Sequence, residues 1–168
     1  MPRLMTVLVV LGCAALTASA ADAEKYKSKE GKYAIQFPSG VKLSHSTQKA
    51  GDIDMHLTIA ESDGNAYVAM YMDLPEQAKD IPPKTILDGA EKGSVSQSGG
   101  KLESSKDIKF GKDKFPTREI VVNKDGNLIK TRIILAETRV YVIAVGGPKE
   151  FATSKDAAKF LDSLEITK

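Results

Sequence analysis

The stretch from Arg139 to Ile166, RVYVIAVGGPKEFATSKDAAKFLDSLEI, decides how this chain folds. Its first part, 140–145, is apolar on both alternating faces, and a strand of that kind must be covered on both sides. After a Gly-Gly-Pro break, an amphipathic helix is predicted to begin at Thr153, with Asp156 placed to complete a capping box. The apolar residues of its inner face are Ala157, Phe160, Leu161 and Leu164. This helix can cover one side of the strand.

Upstream segments supply antiparallel partners for this strand. An Asp-Gly pair at 63–64 and another at 125–126 each separate two alternating runs, which is a strong signal for a hairpin. A further hairpin is predicted over 26–37, followed by an edge strand over 41–49. A helix is predicted after Pro82-Pro83, because proline is tolerated in a first turn. The inner stripe of this helix consists of Ile86, Leu87, Ala90 and Val95.

The order of these segments is strands, helix, strands, helix, with tight antiparallel turns. This order predicts an α+β fold in which a single twisted antiparallel β-sheet is flanked by helices, as an α/β/α sandwich. Residues 21–168 are expected to form one globular domain, because a chain of 168 residues with 42% hydrophobic content suits a single core.

The first Asp-Gly hairpin has a register that follows from its two-residue loop. The predicted pairs on one side, which we expect to be the core face, are Met55–Met72, Leu57–Met70 and Ile59–Val68. On the other side, His56 is predicted to face Tyr71, and Asp54 is predicted to face Asp73.

Asp54, His56 and Asp73 form the candidate metal site of this sequence. Two carboxylates directly opposite each other repel unless a cation compensates their charge. Oxygen ligands together with one imidazole suit zinc, calcium or manganese. The alternative is that these side chains form the solvated side of an amphipathic hairpin. No cofactor motif occurs in the sequence, so no cofactor is expected.

Two other groups of polar residues have ordinary explanations. His45 lies among hydroxyl residues at 44–47, but neighbouring residues of a strand point to opposite faces, and no strand–Ser–helix elbow accompanies them. Hydrolysis is therefore disfavoured. Glu119 is predicted to face Arg132 across the second Asp-Gly hairpin, as a surface pair worth less than ~1 kcal/mol.

Two short segments at opposite ends of the chain carry a family resemblance. Tyr33-Ala34-Ile35-Gln36-Phe37-Pro38-Ser39-Gly40 resembles the strand and Phe-Pro-x-Gly opening of PsbP-like domains, and 141–145 with 160–166 resembles their closing strand and helix. The resemblance implies an α/β/α sandwich around an antiparallel sheet, over about residues 25–167. The family includes extrinsic subunits of photosystem II and many small exported bacterial proteins. Its members mostly bind or scaffold other proteins and are not generally enzymes.

The N-terminus is predicted to be a signal peptide over residues 1–20. Arg3 precedes an apolar run, and Ala18-Ser19-Ala20 is a small-residue cleavage site. The chain is therefore expected to be exported, to the periplasm or beyond the cell. The alternative is a lipid anchor at Cys13, because Val10-Leu11-Gly12-Cys13 resembles a bacterial lipobox.

The predicted mature chain is close to neutral. Removing residues 1–20 takes away Arg3 and no acid, which leaves 23 basic and 22 acidic residues. This balance gives no electrostatic case for nucleic acid or an anionic membrane as a partner, so a membrane is expected only if Cys13 is lipidated.

These observations together favour one function and leave one alternative. The sequence predicts an exported, non-enzymatic binding or accessory domain of the periplasm or cell envelope, whose partner is another protein. The alternative is a carrier of a small ligand or metal on the face of Asp54, His56 and Asp73.

Overall fold

The computed structural model describes residues 25–167. The predicted signal peptide, residues 1–20, and the alternative lipidation site at Cys13 lie outside these residues and stay predictions. Within the described residues, no helix is long and apolar enough to cross a membrane.

Ten β-strands and three α-helices make up the described part of the chain. The strands are β1 (Lys25–Ser28), β2 (Tyr33–Gln36), β3 (Leu43–Ala50), β4 (Ile53–Ser62), β5 (Asn65–Asp73), β6 (Lys101–Phe110), β7 (Phe115–Lys124), β8 (Asn127–Ala136), β9 (Arg139–Pro148) and β10 (Glu165–Ile166). The helices are α1 (Pro83–Ser98), α2 (Lys149–Ala152) and α3 (Lys155–Asp162), and a 3-10 turn at Glu76–Asp80 precedes α1.

Seven strands form the main sheet, in the order β3-β4-β5-β9-β8-β7-β6. Every neighbouring pair in this sheet is antiparallel. β9 carries the run that is apolar on both faces, and it is the central strand. From Val140 to Val145 its residues are buried, except for the half-buried Ala144. The predicted α+β fold, an antiparallel sheet flanked by helices, is confirmed.

One hairpin stays outside the main sheet. β1 and β2 pair with β10 to form a small sheet of their own, in the order β1-β2-β10. The small sheet lies on the same side of the main sheet as α2 and α3, and these elements enclose the larger hydrophobic core. The smaller core lies on the other side, under α1. The sequence predicted one sheet because β10 has only two residues and shows no alternating pattern.

Both Asp-Gly hairpins have the predicted register. Asp63-Gly64 has left-handed φ angles of 51° and 76°, as this type of two-residue loop requires. The predicted core face is a core face only in part, however: Met70 and Met72 pack against the smaller core, but every residue of that face is half-buried. Met55 and Met72 are only half-buried, whereas Tyr71 on the opposite side is 6% exposed and belongs to the larger core. The small sheet covers the side of Tyr71, and this covering cannot be read from the hairpin alone.

α1 packs on β7 and β8 with the predicted inner stripe. Leu87 is 3% exposed, and Ile86, Ala90 and Val95 pack against the same core. The helix ends at Gly99, which has the left-handed conformation typical of a helix C-terminus (φ 66°).

An arginine of β7 fastens α1 to the sheet. Arg118 donates from Nη2 to Asp88 of α1 at 2.7 Å and from Nε to Asp107 of β6 at 2.7 Å. It also forms an ion pair with Glu91 of α1. Only 7% of the Arg118 side chain and 16% of the Glu91 side chain are exposed, whereas Asp88 and Asp107 remain in contact with water.

α3 begins one residue later than predicted. Its N-cap is Ser154, whose hydroxyl accepts a hydrogen bond from the N–H of Ala157 at 3.1 Å. Thr153 instead donates its hydroxyl to the carbonyl of Lys149 and closes α2. The predicted inner residues of α3 are all buried: Ala157, Phe160, Leu161 and, just beyond the helix, Leu164.

Candidate functional site

A cleft of about 390 Å³, which we call the histidine cleft, contains both histidines of the chain, His45 and His56. It lies between the small sheet and the β3–β4–β5 end of the main sheet. Its other lining residues are Tyr26, Ser28, Glu30, Tyr33, Ser46, Thr47, Leu57, Thr58 and Tyr71. Hydroxyl, imidazole and phenol groups therefore dominate this cleft.

The pairing of β3 with β4 brings the two histidines together. His45 lies opposite Thr58, and Thr47 lies opposite His56. The Oγ1 atom of Thr58 is 3.1 Å from Nδ1 of His45, and that of Thr47 is 3.2 Å from Nδ1 of His56. Each imidazole is thus held through Nδ1 by a threonine hydroxyl. Nε2 remains as the second polar atom that each ring can offer to a ligand.

Aromatic rings flank both imidazoles. His45 stacks on Tyr26 with ring centroids 5.4 Å apart, and His56 stacks on Tyr71 with centroids 4.7 Å apart. Tyr33 packs against Tyr26 and Tyr71, and burial raises the pKa of Tyr33 to about 12. This phenol therefore stays protonated at neutral pH.

The residues of the predicted metal site lie on the same strands, but each carboxylate already has a cationic partner. Lys49 lies opposite Asp54, with Nζ 3.4 Å from Oδ1. Arg139 lies opposite Asp73 and donates to both of its oxygens, at 2.6 and 2.7 Å. These side chains supply the compensation for which the sequence suggested a metal. Within residues 25–167 no group of three His, Cys, Asp or Glu side chains could hold a metal ion. The site at Asp54, His56 and Asp73 stays a prediction.

Arg139 also joins the two sheets beside the cleft. Its Nη1 donates to the carbonyl of Glu30 in the turn of the small sheet at 2.8 Å. Its guanidinium carbon lies 5.1 Å from the ring centroid of Tyr71. Hydrogen bonds from Arg139 hold the pKa of Asp73 below its ordinary value. The carboxylate and guanidinium therefore stay charged together at neutral pH.

Glu119 and Arg132 face each other as predicted, but the pair is buried, so the prediction of a surface pair was wrong. Only 6% of the Glu119 side chain and 14% of the Arg132 side chain are exposed. Nε of Arg132 donates to Glu119 at 2.9 Å, and Nη1 donates to the Leu161 carbonyl and to Asp162 at the end of α3. α3 covers the pair. The alternation of apolar and polar residues along β7 and β8 does not indicate that a helix covers this face.

Acid is expected to destabilise the fold through Glu119. Burial alone would raise its pKa, but hydrogen bonds from Arg132 and Lys106 hold the pKa below its ordinary value of 4.5. A carboxyl with a depressed folded-state pKa contributes stability above its unfolded pKa and loses it as the pH falls. Urea unfolding at pH 7 and pH 3 should therefore show a larger loss of stability for the wild-type chain than for Glu119→Gln. An equal loss in both proteins would contradict this role.

One half of the main sheet has an apolar face without a covering helix, which we call the open face. Its side chains are Ile53, Met55, Leu57 and Ile59 of β4 and Val68, Met70 and Met72 of β5. All seven are half-buried rather than buried. Of the helices in residues 25–167, α1 lies on this side and packs on β7 and β8, and only Met70 and Met72 of the open face pack against the core beneath it. Neighbouring apolar side chains on two paired strands thus remain in partial contact with water.

Comparison with known proteins gives the fold a name. No protein-family model matches the chain, and no curated protein sequence matches it. The solution structure of cyanobacterial PsbP (CyanoP) from Synechocystis sp. PCC 6803 has a TM-score of 0.59 to it, with 10% sequence identity. The match covers 93% of this chain and 98% of that one. The fold is PsbP-like.

A second structure extends the PsbP-like comparison. A crystal structure of a Bacteroides thetaiotaomicron VPI-5482 protein has a TM-score of 0.53 at 12% identity. This match covers 88% of the chain described here but 49% of the other, so the unit corresponds to about half of that protein. The resemblance inferred from the opening at 33–40 and the closing elements at 141–166 is confirmed at the level of fold.

The histidine cleft of this PsbP-like chain was not predicted from the sequence. A signal for it was present, because Gly51-Asp52 is a two-residue loop between β3 and β4. Applying the Asp-Gly argument to this loop would have placed His45 beside Thr58, on the same face as His56. The second half of the cleft, from Tyr26 to Tyr33, belongs to the small sheet, and no pattern in the sequence places that sheet.

Proposed function

We propose that this chain is an exported, non-enzymatic accessory or scaffold domain of the periplasm or cell envelope that binds another protein. The open face is the observation that carries the proposal. Contiguous apolar surface on a folded domain marks an interaction site more often than scattered exposed residues do. The PsbP-like fold and the nearly neutral charge of residues 21–168 are consistent with a protein partner.

The arrangement of the open face fits a protein surface better than a small ligand. Ile59 lies opposite Val68, and Leu57 lies opposite Met70, so the apolar side chains form rows across two strands. A sheet face of this kind is broad and shallow, and apolar side chains of a partner can pack between the rows. Methionines suit such contacts, because their unbranched side chains adapt to irregular surfaces.

The first test is crosslinking and capture of partners in the organism that makes this chain. We expect one dominant envelope protein to be captured by the wild-type chain and lost with Ile59→Glu, because a buried carboxylate would oppose the apolar contact. Ile81→Glu is the matched control, since Ile81 is an isoleucine with 43% exposure outside the open face. Capture that survives Ile59→Glu, or that is lost equally in the control, would contradict the open face as the binding surface.

The same samples test export. Mass spectrometry of the N-terminus should show a chain that starts at Ala21, or one that is lipidated at Cys13. An uncleaved chain that starts at Met1 in the cytoplasm would contradict the envelope role. Hydrolysis of a chromogenic ester that disappears in His45→Ala would contradict the non-enzymatic part of the proposal.

A second candidate function, a carrier of a metal or small ligand, is favoured by the histidine cleft. Metal-binding histidines commonly hold one ring nitrogen in a hydrogen bond and present the other to the metal. His45 and His56 both have this arrangement through Nδ1. Two imidazoles suit zinc or copper better than calcium.

Calorimetric titration with Zn²⁺ separates the cleft from the site predicted at Asp54, His56 and Asp73. If the cleft binds the ion, His45→Ala and His56→Ala abolish binding, while Asp54→Asn and Asp73→Asn leave it unchanged. If the predicted site binds it, both aspartate variants and His56→Ala lose binding and His45→Ala retains it. No heat of binding in the wild-type chain would dismiss zinc as the ligand.

A further inference from the structure

The two edges of the main sheet differ in their protection against further pairing. Edge strands of stable proteins are commonly blocked by bulges, by lysines or by covering elements. At the β6 edge, the pairing with β7 is irregular between Leu102 and Ser104. The hydroxyl of Ser105 donates to Glu91 of α1 at 2.6 Å, so a helix side chain reaches this edge. The lysines along β6 are Lys101, Lys106 and Lys109.

The β3 edge has a regular pairing and carries a single lysine, Lys49. Its pairing with β4 runs without a shift from Leu43 opposite Ala60 to Ala50 opposite Ile53. Seven of its eight residues are exposed. Lys49 is the only lysine or arginine of β3, and the strand contains no carboxylate. Among the described strands, only β4 pairs with β3, so the backbone groups of about every second residue, which point away from β4, have no partner strand.

We propose that two copies of this chain associate through β3, as antiparallel strands related by a two-fold axis at Ser46. Residues directly opposite each other on antiparallel strands have their side chains on the same side of the sheet. A two-fold axis that passes beside one residue, so that this residue faces its own copy, satisfies this condition. With the axis at Ser46, His45 faces Thr47 of the other copy. Leu43 then faces Lys49 of the other copy.

The residues of β3 favour the register centred on Ser46 over the one centred on Thr47. Directly opposed like charges destabilise a strand pair, and the Ser46 axis opposes none. An axis at Thr47 would instead place His45 opposite Lys49 of the other copy, and the facing of His45 and Thr47 would be lost. The Ser46 register also repeats across the interface the histidine–threonine contact that already joins β3 to β4.

Such a dimer also brings the two open faces together. The two main sheets become one continuous sheet, and both open faces lie on the same side of it. The side chains of Ser44, Ser46, Gln48 and Ala50 from each β3 separate them. This inference does not depend on the proposed envelope partner, because self-association through β3 needs no other protein.

The test is sedimentation equilibrium of the purified chain from 10 μM to 1 mM. We expect a monomer–dimer equilibrium that Ser46→Lys and Ser46→Glu each weaken by roughly tenfold or more, because each variant places two like charges on the axis. An equimolar mixture of these two variants should recover the association, since opposite charges then meet. Ser104→Lys, which changes a serine of the β6 edge in the same way, should leave the association unchanged.

Three results would overturn the β3 interface. One is a monomer at all concentrations, and another is a dimer that Ser46→Lys does not weaken. The third is a mixture of Ser46→Lys and Ser46→Glu that stays monomeric although both variants show the thermal unfolding of the wild-type chain. Recovery in the mixture also guards against misfolding, because a misfolded variant would not regain association through an opposite charge. Loss of partner capture in Ile59→Glu is a separate observation and does not bear on this outcome.

Discussion

Arg118→Met is expected to lower the free energy of unfolding by about 2 kcal/mol, because it removes the hydrogen bonds of a buried arginine to three carboxylates, two of which remain in contact with water. Arg118 is 6% exposed and holds Asp88 and Glu91 of α1 together with Asp107 of β6. The substitution keeps much of the aliphatic volume but removes every hydrogen-bond donor. The carboxylates are then left close together without their shared cation. The loss of this cation destabilises the charged form of Glu91 most, since only 16% of its side chain is exposed.

Urea unfolding measures this loss, and Lys84→Met is the matched control. Lys84 also pairs with Asp88, at 3.0 Å, but 72% of its side chain is exposed. Exposed pairs of this kind contribute little, so Lys84→Met should unfold like the wild-type chain. A loss below about 1 kcal/mol in Arg118→Met would show that α1 is held by its apolar stripe alone.

Phe160→Ala is expected to cost about 4 kcal/mol, within the range for removal of a buried phenylalanine ring. Phe160 is 2% exposed in α3 and packs between two other layers. Its ring centroid lies 5.1 Å from that of Phe37, beyond the end of β2, and 5.2 Å from that of Tyr67 in β5. The substitution therefore opens a cavity where helix, small sheet and main sheet meet.

Thermal unfolding should show the loss as a decrease in Tm of roughly 8–16 °C. Lys159→Ala, the preceding residue of α3, is the control, and it should change Tm by no more than a degree or two, since 78% of that side chain is exposed. Equal effects of the two substitutions would mean that α3 is held by helix propensity and not by Phe160.

Local sequence signals were sufficient to predict the main sheet. The Asp-Gly pairs at 63–64 and 125–126 fixed two hairpin registers, because a two-residue loop leaves one way to pair the strands. The apolar run at 140–145 identified the central strand, since apolar residues on both faces imply cover on both sides. These features depend on residues close in sequence.

Predictions that depend on distant elements were less accurate. The face of Met55 was expected to be the core, yet the fully buried face is that of Thr58 and Tyr71, because the small sheet and α3 lie over it. Glu119 and Arg132 were expected on the surface for the same reason, since α3 lies about 30 residues further along the chain. Alternation along a strand defines two faces, but it does not say which elements will cover each of them.

The candidate sites show the same division. Asp54 and Asp73 were singled out as two uncompensated carboxylates, and the register around them was sound. Their partners lie on the two strands that flank this hairpin, Lys49 on β3 and Arg139 on β9. The sequence of the hairpin alone could therefore not reveal them. The histidine cleft likewise needs β3, β4 and the small sheet at once.

The small sheet has a consequence for the architecture of larger proteins. β1 and β10 both pair with β2, so the first and last strands of the described residues run side by side, about 10 Å apart. Lys25 and Glu165 meet there in an ion pair of 2.5 Å. Chain that enters before β1 and chain that leaves after β10 nevertheless lie at opposite ends of the small sheet, because β1 and β10 run parallel to each other on the two sides of β2. A host protein that holds this unit by both ends therefore needs attachment points at the two opposite ends of β2. A circular permutant that joins these ends with a short linker and opens at Asp63-Gly64 keeps every strand of both sheets.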